Sequence, residues 1–345
     1  MNILNATKLV PFSFETRDRD GDPAQVVVVK GTFDLVPGQP LALAEEQDPV
    51  RLSDEPESPD APSSLRHEDD LAPWKPRSDI LVRATAHAPS GRPEREWLAG
   101  VAVGSVAKRV RVTGPRFWAR AFGFSLGPPE PTLAVPIRYE GAYGGRTQQG
   151  DTVIAHEENP VGKGLFPRRD IESATVLPAP VILPPDGREP SLSSSLSVEG
   201  FSPMAKSWLP RRARAGTFDH AWLARRHPDV PEDFSYGFYN CAHPDLTYPG
   251  YLRGDEPVRL ERLVKGHEIV TFSLPGFIVG VALLDRAGHR HGTAAKLDTL
   301  SIDAERMRVS LVWRARLPIF NDGVRRVDVA MRRSLSPEKG AQGGR

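Results

Sequence analysis

The chain has 345 residues, with 45 basic against 44 acidic side chains, a formal charge of +1, one cysteine and 39% hydrophobic content. That balance argues against a nucleic-acid binder working through overall charge, and a lone Cys241 excludes an internal disulfide. The 34 prolines are about twice the usual ~5% share, so long helices are excluded and short elements with irregular connections are expected.

In chain order, Phe12, Phe14 and Thr16 alternate with Ser13 and Glu15 before the turn cluster Asp20-Gly21-Asp22-Pro23. Val26–Val29 follows, with Lys30–Val36 continuing it, which predicts a hairpin. Residues 45–70 mix Asp, Glu, Pro and Ser with few large apolar side chains. Such a stretch buries little surface against its ordering cost and reads as a mobile, acidic surface loop, or alternatively as a partner-binding strip. Ile80–Ala86 reads as a strand, and Glu96–Val103 with Val106–Val112 as a hairpin about Gly104-Ser105. There Val106, Val110 and Val112 share one face, with Lys108, Arg109 and Arg111 expected to face water. Arg116-Phe117-Trp118 extends the same sheet.

Residues 137–165, IRYEGAYGGRTQQGDTVIAHEENPVGKGL, read as a strand entering a Tyr143-Gly144-Gly145 corner and a glycine-punctuated loop, with Asn159-Pro160 opening a turn. Residues 176–200 form a proline- and serine-rich excursion. A helix is expected at Phe218–Arg226, capped by Thr217 or Asp219 and stopped before Pro228, with a further single turn at Pro231–Phe234. Strands return at Val258–Leu263, Ile269–Leu274, Ile278–Leu284 and Leu297–Ile302. In Arg306–Leu317, the residues Met307, Val309, Leu311, Trp313, Ala315 and Leu317 fall on one face, and Arg308, Ser310, Arg314 and Arg316 on the other. Asn321-Asp322-Gly323 turns the chain into Val324–Met331, and residues 332–345 read as a disordered tail.

Adjacent hairpins without strand–helix alternation predict an all-β fold with one or two short helices. Its antiparallel sheets should pack as a sandwich or as two abutting β units with long loops. Residues 1–331 read as one region, with a possible subdivision into 1–175 and 200–331. The two Gly-Thr-Phe-Asp segments, at Gly31 and Gly216, have unlike flanks and do not amount to a repeat.

Chemistry-bearing patterns are sparse. Cys241/His243 and His289/His291 offer two ligands each where a zinc site needs about four, so no metal is expected. No G-x-S-x-G elbow is present, and Cys241 near His220, His227 and His243 reads as a partly buried small thiol. Glu157-Glu158 and Asp255-Glu256 point to opposite faces if extended. In Arg253-Gly254-Asp255-Glu256, a local Arg–carboxylate fork holding a tight turn is expected. Gly162-Lys163-Gly164 lacks the spacing of a phosphate-binding loop, and no cofactor is expected. The densest basic region is Arg211, Arg212 and Arg214, with Lys206 before it and Arg225-Arg226 after, interleaved with Trp208, Phe218 and Trp222. Arg and Trp are favoured interface anchors, so Trp208, Arg211, Arg212 and Arg214 are the partner-docking candidates. Ordinary surface and a nucleic-acid platform are the competing readings.

The segment Ile137–Leu165 resembles one in the bacterial domain-of-unknown-function family numbered twenty-one sixty-nine, encoded beside type VI secretion spike genes. Val26–Leu35, Asp70–Val82, Ala215–Leu223, Pro249–Val258 and Leu297–Ala315 are similar to the same family, so the likeness extends to about Met331. Tyr143, Gly144, Gly145, Asn159, Pro160, Arg253, Gly254 and Asp255 are its motif residues, read as structural. The resemblance implies a non-enzymatic adaptor that brings a secretion effector to the spike, with effector and spike as partners. The N-terminal MNILNATKLVPFSF lacks a charged leader before an apolar block, and no run approaches the ~20 apolar residues of a membrane helix. A cytoplasmic, membrane-free protein is therefore expected. The competing functions are a hydrolase on a β scaffold and a carbohydrate- or envelope-binding module using Trp74, Trp118, Tyr248 and Tyr251.

Overall fold

Period-two alternation builds the framework of this computed structural model, which describes residues 2–120, 122–166, 168–319 and 323–333. The principal strands are β1 (Asn2–Asn5), β2 (Val10–Arg17), β3 (Pro23–Asp34), β4 (Ser78–Arg83), β5 (Glu96–Val103), β6 (Val106–Thr113), β7 (Pro257–Val264), β8 (His267–Ser273), β9 (Phe277–Asp285), β10 (Arg290–Ala294), β11 (Lys296–Asp303), β12 (Arg308–Pro318) and β13 (Val324–Arg333). A seven-stranded sheet contains β2, β3, β12, β11, β4 and Thr247–Tyr248 in that order, with Ala42–Leu43 also paired to β3. A five-stranded sheet runs Ile182–Leu183, β6, β5, β7, β8, and a four-stranded sheet runs β1, β13, β9, β10. Most neighbours are antiparallel, whereas β11 with β4 and β1 with β13 are parallel.

The fold is β-dominated, as the hairpin pattern predicts. Apolar faces of all three sheets meet in one core: Val29, Ile80 and Trp313 from the first, Val101, Val110 and Leu260 from the second, Val281 and Val329 from the third. Each such valine or leucine contributes roughly 1.5–3 kcal/mol relative to exposure. Strands from both ends of the chain are neighbours. β3 runs beside β12, with Asp34 opposite Arg308 and Ala24 opposite Pro318.

Several polar side chains of the strands are buried, among them Lys108 and Arg111, which were expected to face water. Ser310 and Arg314 on β12, Lys30 on β3 and Asp79 on β4 lie under loops 45–75 and 200–245. There Lys30 pairs with Asp70 at 2.8 Å, Lys75 with Asp79 at 2.8 Å and Arg314 with Asp298 at 2.6 Å. A buried charge persists when it is paired and hydrogen-bonded. Lys108 meets Glu199 at 2.5 Å and Asp245 at 3.0 Å, and Arg111 meets Glu189 at 2.7 Å. Charge along these strands therefore marks a second, ionic layer. The acidic segment 45–70 supplies part of it and carries a small pairing of Glu55–Pro56 with Leu65–His67. Its Glu57 accepts from Arg83 at 3.1 Å and lies 2.9 Å from Arg138.

Other differences are local. Helix α1 (Arg168–Ser173) was not foreseen, and the expected helix contracts to α2 (His220–Arg225). Pro231–Phe234 forms a turn closed by the Phe234 N–H on the Pro231 carbonyl at 3.1 Å. β13 continues past Met331, with Arg332 and Arg333 opposite Ile278 and Phe277. Asn321, Asp322 and the tail from Ser334 lie outside the described residues. Among the described residues no helix is long and apolar enough to cross a membrane.

Candidate partner-docking surface

Two of the four docking candidates form the root of a projection. Arg211 is fully buried; its Nη1 and Nη2 donate to the two oxygens of Glu68 at 3.0 and 2.6 Å. The same guanidinium donates to the carbonyls of Met204 at 2.5 Å and Phe238 at 2.9 Å, and packs over the Phe238 ring. Trp208 is buried edge-on against Tyr139, centroids 5.3 Å apart. These two expectations are corrected: Arg211 and Trp208 anchor the segment and present no surface. The indicator missing from the sequence was Glu68, more than a hundred residues away.

The outer pair is exposed. Arg212 Nη2 reaches Glu157 at 2.7 Å, and Arg214 Nη1 donates to the Gly237 carbonyl at 3.1 Å. Beyond them Thr217 donates through its N–H and hydroxyl to Asp233, at 2.9 and 2.8 Å, closing the neck of the projection. Asp219 caps α2 by accepting from the Trp222 N–H at 2.8 Å. Trp222 holds the helix down, its indole N–H donating to the Asp229 carbonyl at 2.8 Å and its ring meeting Phe218 at 4.8 Å. α2 buries none of its residues. Phe218 is 59% and Leu223 57% exposed, and Arg214 and Arg225 of the same segment are exposed as well. A solvated helix bearing aromatic, aliphatic and guanidinium groups has the composition of an interface anchor.

The motif residues form corners. Asn159 is buried and its Nδ2 donates to the carbonyls of Tyr139 and Tyr143 at 2.8 and 2.9 Å, while its own carbonyl accepts from the Gly145 N–H at 2.8 Å. Gly144 has φ +144° and a Cβ there would stand 2.2 Å from the Asn159 carbonyl oxygen, so a side chain is sterically excluded. Pro160 follows in the same turn. At Arg253-Gly254-Asp255-Glu256 a carboxylate does hold the turn, but through backbone N–H groups and not through an Arg fork. Arg253 and Asp255 are exposed and 3.6 Å apart, whereas the buried Glu256 carboxylate accepts from the N–H groups of Arg253 and Gly254 at 2.7 and 2.9 Å.

The remaining chemistry-bearing residues are engaged structurally. Cys241 is buried with Sγ 3.6 Å from Asp79, and burial together with Glu68 and Asp79 pushes its thiol well above the ordinary value. His243 Nε2 is 3.1 Å from the Val198 carbonyl, and its Nδ1 accepts from the Asp245 N–H. His289 and His291 both face Asp285, at 3.2 and 3.4 Å. Asp54, Glu68 and Asp69 converge, a grouping not read from the sequence, and Lys206 sits among them, 3.2 Å from Asp54 and 3.8 Å from Glu68. Of the four aromatics proposed for a glycan platform, Trp118 is buried and Tyr248 lies in a short strand. Trp74 donates to the Tyr251 hydroxyl at 2.9 Å, and both line an open groove of about 450 Å³.

A family model described as "Uncharacterized protein conserved in bacteria (DUF2169)" matches residues 20–314, and the chain belongs to that family. No curated protein and no solved structure matches the chain.

Proposed function

We propose that this member of the bacterial family is a non-enzymatic cytoplasmic adaptor that binds a type VI secretion effector and helps deliver it to the spike. One observation carries the reading: the segment leading into and forming the solvated helix α2 exposes Phe218, Leu223 and Arg225, with the exposed Arg214 earlier in the same segment, beyond the buried anchors Arg211 and Trp208. Rigid roots below an exposed apolar and cationic tip are what a docking element requires. The resemblance of the Ile137–Leu165 segment to proteins encoded beside spike genes supplies the partner class. A standard interface of ~1,200–2,000 Å² would need surface beyond the tip.

Co-expression with the spike and effector encoded by neighbouring genes tests it. A stable complex of adaptor and effector, recovered by affinity purification and gel filtration, is the expected result. Failure of both neighbours to associate under conditions where each is folded overturns the reading.

A further inference from the structure

The five-stranded sheet ends in an unguarded edge. β8 pairs with β7 on one side and, among the described residues, has no strand on the other. The Leu274 N–H donates to the Glu256 carbonyl at 3.0 Å, and the register sets Val258 opposite Phe272 and Leu260 opposite Val270. Hydrogen-bonded pairs alternate in an antiparallel ladder. Phe272 and Val270 therefore bond inward to β7, and Ile269, Thr271 and Ser273 turn their N–H and C=O groups away from the sheet. The other side of β7 agrees, since the Gly104 N–H bonds the Pro257 carbonyl at 2.9 Å and assigns its odd residues to β5. All three outward residues of β8 are exposed, Ile269 by 46%.

Exposed edges are ordinarily blunted by lysine, proline or other charged residues. The edge strand β2 of the seven-stranded sheet carries Pro11, Glu15 and Arg17, whereas β8 reads HEIVTFS, with one charged residue near its start. Its surroundings are electropositive. Glu261 is taken by Arg109 at 2.9 Å and Glu268 by Arg262 at 3.0 Å. That leaves the exposed Arg259 and Lys265 without carboxylate partners among the described residues, and Arg259 stands opposite Thr271 in the register. Past the His267 end of the strand lies an open groove of about 460 Å³, where Leu263, Val264 and Met307 are joined by His87, Lys265 and Glu305.

We infer that β8 accepts an extended, acidic segment of the effector as a sixth strand of this sheet, with an apolar side chain seated in the groove. The assignment rests on the adaptor reading above. Backbone pairing supplies the affinity in such strand addition, and side-chain pockets and charge supply the selection.

The adaptor–effector complex provides the test. Thr271→Pro removes an outward N–H without touching the ladder to β7, a position where an edge strand tolerates proline. Ile269→Lys blunts the edge by charge, and Arg259→Glu reverses the local sign. Each should weaken effector capture at least tenfold while leaving the circular dichroism and melting temperature of the free chain unchanged. Residue-resolved hydrogen exchange on the wild-type complex should show the Ile269, Thr271 and Ser273 amides newly protected. Capture of the effector without that protection, and with full capture by Ile269→Lys, overturns the edge assignment and leaves the adaptor reading standing. No capture by the wild-type chain overturns both.

Discussion

Arg211 and Glu68 meet in a two-pronged pair, 3.0 and 2.6 Å, that ties the basic projection to the acidic segment 45–70. Arg211 is fully buried and Glu68 nearly so, so neither charge has water to fall back on. Arg211→Ala should therefore cost about 3–5 kcal/mol, because it strands a buried carboxylate. Arg211→Lys should recover little, since an ammonium cannot reproduce the fork or the bonds to the Met204 and Phe238 carbonyls. Urea unfolding followed by fluorescence measures both, and an Arg211→Ala loss under about 1 kcal/mol would contradict the burial argument.

Gly144 and Asn159 make a second test of structure. A methyl group at position 144 would meet the Asn159 carbonyl at 2.2 Å, so the corner must open or the chain must shift. Gly144→Ala should destabilise by more than about 1 kcal/mol, and Gly150→Ala, at φ +61° with nothing nearby, by less. Asn159→Ala removes the bond to the Tyr143 carbonyl, at roughly 1–3 kcal/mol for an unsatisfied buried group, whereas the Tyr139 carbonyl keeps the Ala142 N–H at 3.1 Å. Equal thermal stability of the Gly144 and Gly150 variants would refute the steric account.

The apolar half of this fold was legible because it is periodic. Val309, Leu311, Trp313, Ala315 and Leu317 alternate along β12 and all enter the core. The surroundings of the opposite face were not legible, because whether Ser310 and Arg314 meet water depends on loops more than 60 residues distant in sequence, and alternation along one strand carries no information about what lies above it. The same limit applied to the docking residues. Arg211, Arg212 and Arg214 look alike in sequence, yet Glu68 and two carbonyls capture the first and leave the others outside. The motif corner at Tyr143–Gly145 was legible as glycine-dependent, whereas Asn159 as its internal clamp depends on side-chain direction.

His67 predicts an acid-sensitive limb of stability. Burial first, and then the cations Arg51 and Lys30, push its imidazole down to about 3. The unfolded chain takes up this proton below pH ~6.5, and the native chain resists until about 3. Stability present above pH ~6.5 is thus lost progressively as pH falls toward 3, by up to about 1.4 kcal/mol per pH unit for one such group. His87 and His243, also lowered by burial, add slopes of the same sign. His67→Asn should flatten the unfolding free energy between pH 4.5 and 6 measurably, as read by urea titrations at each pH. An unchanged slope would mean that His67 is solvated and titrates normally.

Phe218 and Leu223 should separate binding from folding. Both side chains are more than half exposed and α2 buries none of its residues, so Phe218→Ala and Leu223→Ala should shift unfolding by no more than about 0.5 kcal/mol. An interface hot spot costs about 2 kcal/mol or more on truncation, which is roughly a thirtyfold loss of affinity. The double variant should therefore fold normally, retain its melting temperature, and lose effector capture by at least that factor in a titration against the co-expressed partner. Arg214→Glu and Arg225→Glu should weaken capture further at low salt than at high salt, because their contribution is screened over ~10 Å at 0.1 M. If the double variant instead captures the effector as tightly as the wild type, the tip of the projection is ordinary surface and the docking face lies elsewhere on the chain.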